Sequence, residues 1–190
     1  MTVRRLAGKH NYVGLAADTK PTTGVPFGST FLVLDEGVEY IYSGASWYAQ
    51  PDSGGWILAR KTTTFTGVAG AGEIGTVALF TVSGNVEVSS YRERCSTLLL
   101  GAATLETGIA TDTNLLAAQT ADATAIDADE WNNADGTWVA DKGADCLAGA
   151  EVAIDASIIM TVGAANITAG VIVSYIRWRP LSAGASLVAA

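Results

Sequence analysis

The stretch Thr76-Val77-Ala78-Leu79-Phe80-Thr81-Val82, the triplet Ser83-Gly84-Asn85, and then Val86-Glu87-Val88-Ser89-Ser90-Tyr91 decide the fold class. The flanking runs are rich in β-branched and aromatic residues, and the triplet between them is made of turn formers. Two strands across a tight turn is the economical reading. The same texture continues toward the C-terminus. Trp56 to Ala59, Thr62 to Val68, Cys95 to Leu100, Thr104 to Ile109, Asn114 to Ala118, Thr137 to Val139, Ser157 to Val162 and Gly170 to Trp178 follow at spacings that suit a β-sandwich or jelly roll. No segment sustains a 3.6-residue apolar stripe; Leu115 to Gln119 and Asp127 to Asn132 have room for one or two helical turns and no more. The last strand is apolar on both parities up to Ser174, then alternates through Arg177 and Arg179 until Pro180 stops it. The tail 182–190 is small and uncharged, either frayed or laid along a neighbouring surface.

Upstream, Ser29 to Leu34 and Val38 to Tyr42 flank Asp35-Glu36-Gly37 and read as a hairpin. The turn Ser43 to Ser46 leads to Trp47 and Tyr48, which adds a third short strand and gives an aromatic-rich meander. So small a sheet is marginal alone and must pack against something. Before it, residues 18–31 carry Pro21, Gly24, Pro26 and Gly28 and suit an extended connector with turns. Pro51-Asp52-Ser53-Gly54-Gly55 is the clearest break in the chain. The expected organisation is all-β: an N-terminal arm over 1–17, a β-hairpin or meander module over 18–50, a jelly-roll-like β-sandwich over 56–181, and a tail over 182–190.

Composition agrees. A chain of 190 residues has room for one substantial core and an appendage, and 21 Gly against 4 Pro with abundant Ala, Thr and Val favour short strands and tight turns. Only 16% of residues are charged, yet the net charge is −8. The excess is local: residues 111–160 hold ten acids and one Lys, a balance of −9. Such a charge opposes binding to phosphate backbones and anionic bilayers, so neither nucleic acid nor membrane is expected as a partner. No apolar run approaches the ~18–20 residues of a membrane span, and the start lacks the apolar stretch of a secretory signal. Cys95 and Cys146 are expected to be free thiols of a reducing compartment rather than a bridge.

Few residues point to chemistry. His10 is the sole histidine, so a histidine triad or multi-histidine metal site has little to build on, and no phosphate-cradling Gly loop precedes a helix. Neither a cofactor nor a metal is expected, nor enzymatic activity. The richest stretch is Asp122 to Gly136. Asp127 and Asp129 have the oxygen ligands a hard cation requires, but Trp131 occupies the fifth position of an EF-hand spacing and no twelfth-position carboxylate closes the loop, so a solvated acidic loop is the simpler reading. The same carboxylates with Trp131 or Trp138 stacked on a sugar ring would make a glycan contact or, more demandingly, a glycosidase pair. Arg4, Arg5 and Lys9 give the N-terminal arm a cationic character that can pair with a partner of opposite charge. Asn166-Ile167-Thr168 fits a glycosylation acceptor, which without a secretory route reduces to a turn.

Asp18 to Phe31, with its DTKP start and G-x-P-x-G-S-T-F run, followed by Tyr40-Ile41-Tyr42-Ser43-Gly44-Ala45-Ser46-Trp47, resembles a short module of tailed-bacteriophage virion proteins. Leu98 to Gly108 and Thr168 to Leu181 are similar to segments of phage structural proteins. The resemblance implies a non-enzymatic capsid decoration or head-fibre protein, made in the host cytoplasm and carried on the virion. Its partner would be the major capsid protein or another virion protein, with the chain itself a homotrimer; the alternative is a host-surface or glycan-binding module of a fibre. Arg4, Arg5 and Lys9 are then the anchoring charges. Neither motif is catalytic, and the acidic segment 111–160 matches no part of either.

Overall fold

A computed structural model describes residues 8–34, 38–50, 55–133, 135–140 and 151–190. The protein is all-β, and it divides into two compact units, Met1–Leu58 and Ala59–Ala190.

The first unit is a four-stranded sheet of β1 (Asn11–Gly14), β2 (Thr30–Val33), β3 (Val38–Tyr42) and β4 (Trp47–Ala49) in that spatial order. The β2–β3 and β3–β4 pairs are antiparallel, as the short connections between successive strands require. Asn11–Gly14, which the sequence suggests belongs to an arm, is instead a strand, parallel to β2. Its four residues are too short a run to show a period. The register makes Tyr12, Phe31, Tyr40, Tyr42 and Trp47 one face, because opposed residues of paired strands share a side. Rings meet edge to face there: Trp47 lies 6.0 Å from Tyr12 and 5.9 Å from Phe31 between centroids.

The connector residues cover that face. Trp47 Nε1 donates to the Pro21 carbonyl at 2.7 Å, Tyr42 Oη to the Thr22 carbonyl at 3.0 Å, and Lys20 Nζ sits 4.2 Å above the Tyr40 ring. An extended segment rich in turn formers thus closes a miniature aromatic core and satisfies the polar atoms of its large rings.

The second unit holds β5 (Ile57–Thr64), which begins just ahead of it, β6 (Gly75–Ser83), β7 (Val86–Leu100), β8 (Thr104–Ile109), β9 (Asp112–Thr120), β10 (Glu130–Asn132), β11 (Trp138–Ala140), β12 (Val152–Ile154), β13 (Ile158–Gly163), β14 (Ala169–Pro180) and β15 (Ser186–Ala189). One sheet runs β11-β10-β7-β14-β5, with β12 also on β7, and the other β15-β6-β13-β8-β9. The inner paths β5-β14-β7-β10 and β6-β13-β8-β9 are the strand order of a jelly-roll sandwich, in which consecutive early strands alternate between layers and late strands return between them.

This order corrects one local reading. Ser83-Gly84-Asn85 does not close a hairpin: β6 and β7 lie in different sheets, so the triplet is a corner that carries the chain from one layer to the other. Local residue types cannot distinguish the two, since a hairpin turn and a sheet-changing corner need the same residues. Leu115 to Gln119 is part of β9, and Asp127 to Asn132 yields β10 after a single 3-10 turn at Ala123–Ala125. The tail forms β15 against β6.

Leu79, Tyr91, Leu116, Met160, Ile172 and Ile176 are buried in the sandwich core. Among the described residues one carboxyl group, that of Glu93, is buried with them. Glu93 accepts from Tyr91 Oη at 2.7 Å and Thr107 Oγ1 at 2.7 Å on one oxygen, and from Asn132 Nδ2 at 2.8 Å on the other. Tyr91 and Glu93 sit on β7, Thr107 on β8 of the opposite sheet and Asn132 on β10, so one carboxylate ties both layers together. Burial, with the neighbouring carboxylate adding to it, pushes the Tyr91 hydroxyl well above its ordinary range and keeps it a donor.

Candidate functional site

The acidic loop is placed by two anchors. Thr120 Oγ1, at the end of β9, donates to the Gly136 carbonyl at 3.1 Å, and Trp138 Nε1 donates to Thr120 Oγ1 at 2.9 Å, so the β10–β11 hairpin is stitched to the edge of the other sheet. Gly136 has φ +80°, and a Cβ there would meet the Gln119 carbonyl oxygen at 2.5 Å, so only glycine fits.

Within the loop the carboxylates are locally engaged. Asp122 accepts from the Thr124 amide and hydroxyl, and Asp135 from those of Thr137; these bonds hold both carboxyls below their ordinary range. The Asp127 amide donates to Glu130 Oε2 at 2.9 Å. Asp129, in the left-handed region at φ +70°, forms an ion pair with Arg94. That pair is exposed at both ends, 36% for Arg94 and 69% for Asp129. Exposed pairs contribute about 0–1 kcal/mol. Among the described residues no three His, Cys, Asp or Glu side chains stand together as metal ligands.

The hairpin register separates the two tryptophans. Trp131 opposes Val139 while Trp138 opposes Asn132, so the indoles point to opposite sides of the sheet. Trp138 turns inward to Thr120; Trp131 joins the outer face. The expected sugar-facing set of Asp127, Asp129, Trp131 and Trp138 therefore does not converge. Of the anchoring charges, Lys9 is exposed next to β1, and Arg4 and Arg5 lie outside the described residues.

Two surfaces stand out instead. The first is the other face of the N-terminal sheet. Val13 (63% exposed) opposes Leu32 (39%), and Ile41 (36%) opposes Tyr48 (59%). Leu15 and Leu34, at the strand ends, are also exposed. Asn11, Thr30 and Glu39 share that face, but its exposed apolar side chains are more numerous than the alternation of a one-face-solvated sheet normally leaves in water.

The second is the outer face of the sandwich sheet β10-β7-β14-β5. Arg92 opposes Tyr175, Arg94 opposes Val173 and Trp131, and Arg177 opposes Ser90. The Trp131 and Tyr175 rings stack with centroids 5.9 Å apart at 27°. Arg94 lies over Trp131 and Arg60 over Tyr175, each 5.9 Å from the centroid. Farther along, Arg179 pairs with Glu87. Five of the eleven Lys and Arg residues of an acidic chain, Arg60, Arg92, Arg94, Arg177 and Arg179, thus gather on one face of this sheet. The legible signal was the period-two run Tyr175, Arg177, Arg179 beside Arg92 and Arg94.

Cys95 is a free, buried thiol pushed up to about 11, first by burial and further by the charges of Glu130, Asp127 and Asp129. Cys146 lies outside the described residues. No protein-family model matches the chain, and no curated protein matches it in sequence.

Proposed function

We propose that the protein is a non-enzymatic structural component of a phage virion, a capsid decoration or head-fibre protein. The N-terminal unit docks on the major capsid protein or another virion protein, and the sandwich projects outward and trimerises. The observation that carries this reading is the exposed apolar face of Val13, Leu32, Ile41 and Tyr48. Each such side chain that becomes fully buried in a partner contributes roughly 1.5–3 kcal/mol, and many copies on one particle make even a weak contact persistent. The resemblance of the DTKP and G-S-T-F segments to virion modules supports it. So does their role in the fold: they close the aromatic core and leave the opposite face for a partner.

Imaging of purified virions with a label on this chain tests the placement, and its absence from particles would refute it. Deleting residues 2–9 tests the anchoring charges Arg4, Arg5 and Lys9. The expected product is a folded, soluble oligomer that no longer decorates particles; undiminished occupancy would remove the arm from the account.

A further inference from the structure

The loops at one end of the sandwich are locked to one another. The Ile167 amide donates to the Gly72 carbonyl at 2.7 Å, the Thr168 amide to the Leu100 carbonyl at 2.7 Å, and the Phe65 amide to the Gly170 carbonyl at 2.9 Å. Asn166 adds its side chain, accepting from the Ile74 amide on Oδ1 at 3.0 Å and donating from Nδ2 to the Gly67 carbonyl at 3.4 Å. Gly72 and Gly101 sit so close to the Ile167 and Asn166 carbonyl oxygens that a Cβ on either would overlap them. The β5–β6, β7–β8 and β13–β14 connections therefore form one surface that is built before anything binds, and covering it costs little ordering entropy.

Its chemistry differs from that of the rest of the chain. Residues 65–75, 98–104 and 163–171 contain a single charged side chain, Glu73, although the chain carries nineteen acids and eleven bases. Val68 and Ile74 are each more than half exposed, and Leu98 and Leu100 stand out into solvent at the end of β7. The opposite end, around the start of β7, carries Glu87, Glu151, Asp155 and Arg179.

We propose that this neutral end is where copies of the chain meet, packed around a symmetry axis. The proposal rests on the reading of the sandwich as the oligomerising unit and names the surface that does it, separate from the Val13 and Leu32 face of the N-terminal sheet. Neutrality selects the occupant. In a cyclic assembly a residue near the axis faces its own copies, so a charge there repels itself, and a chain of net charge −8 repels its copies almost everywhere else. A partner of different sequence is under no such constraint. Toward an acidic chain it gains by setting basic groups against carboxylates, and this end has only Glu73 for them. Burial of the exposed aliphatic side chains on a fixed backbone is the attraction that remains.

Sedimentation equilibrium of the full chain and its variants, each with an unchanged circular dichroism spectrum, tests this. The unsubstituted chain should sediment with the mass of three copies, and Val68→Asp and Leu100→Asp should each weaken association at least tenfold. Val68→Asn should weaken it less than Val68→Asp, and added salt should restore part of what Val68→Asp loses, because the introduced carboxylates repel one another. Leu32→Asp/Ile41→Asp should leave the mass unchanged. Val68 holds its turn through its carbonyl, which accepts from the Ala71 and Glu73 amides, so Val68→Asp stays informative even where Leu100→Asp lowers stability.

A monomeric unsubstituted chain, a mass indifferent to both Val68→Asp and Leu100→Asp, or dissociation by Leu32→Asp/Ile41→Asp in their place would each overturn the proposal. Loss of particle binding by Val68→Asp at an unchanged mass would also overturn it and assign this end to the capsid partner. A two-copy mass that Val68→Asp splits would sustain the surface and refute only the trimer. A chain that associates through this end yet is absent from virions would sustain it too, and refute the virion reading instead.

Discussion

The two units solve the same problem, closing a β core, with different materials. The N-terminal sheet has four short strands and fills its single covered face with rings: Tyr12, Phe31, Tyr42 and Trp47, capped by Lys20 and two carbonyls of an extended segment. The sandwich has two layers, so its aliphatic residues bury each other, and it can hold a carboxylate between the layers because Tyr91, Thr107 and Asn132 satisfy it. The consequence appears on the outside. A layer with one covered side leaves Leu32 and Ile41 facing outward, whereas the sandwich's outer sheet carries arginines. The exposed face of the N-terminal sheet is rich in apolar side chains and that of the β10-β7-β14-β5 sheet in arginines, and the two faces suit different partners.

The sharpest way to break that comparison is Glu93→Leu, which strands three buried donors. The expected loss is about 3–5 kcal/mol. Hydrogen exchange should show it as reduced protection in β7, β8 and β14 with β2 and β3 unaffected; equal loss in both units would mean that they share one cooperative core. Trp47→Ala is the reciprocal change. It removes the ring at the centre of the N-terminal cluster and should cost about 2–4 kcal/mol, with the protection pattern reversed.

Gly136→Ala should come next, at about 1–3 kcal/mol, since it forces a side chain into a left-handed turn against the Gln119 carbonyl. Its effect should be confined to β9, β10 and β11. Smallest is a reactivity difference. With its thiol pushed up to about 11 and buried, Cys95 at pH 8 is almost wholly protonated and should react with a thiol reagent only as the sandwich opens. Glu93→Leu should accelerate that reaction and Trp47→Ala should not. Rapid labelling of Cys95 in the native protein would contradict its place in the core.

Much of the fold was legible because strands announce themselves locally. The β-branched and aromatic residues of Thr30 to Val33, Val38 to Tyr42 and Ile158 to Val162, bounded by turn formers, located their strands nearly to the residue. What failed was information that is not local. Ser83-Gly84-Asn85 reads as a hairpin, and only the pairing of β6 with β13 and of β7 with β14 shows it to be a corner. The three-residue strands β10 and β12 and the four-residue β1 exist through their partners rather than through their own composition.

The candidate sites followed the same rule. Acids adjacent in sequence suggested a set around Asp127 and Trp131, but the hairpin register sends Trp131 and Trp138 to opposite sides. The arginine face draws on β5, β7 and β14, strands more than a hundred positions apart at the extremes, and no window of sequence contains it.

The most direct test of the account is the attachment of a Leu32→Asp/Ile41→Asp variant to virions that lack the protein. Both positions are on the outward face, so stability should change by no more than about 1 kcal/mol. The full chain with these two substitutions should remain folded, keep its oligomeric state and lose particle occupancy at concentrations where the unsubstituted protein saturates. Occupancy equal to that of the unsubstituted protein would contradict the claim that this apolar face is what the molecule docks with.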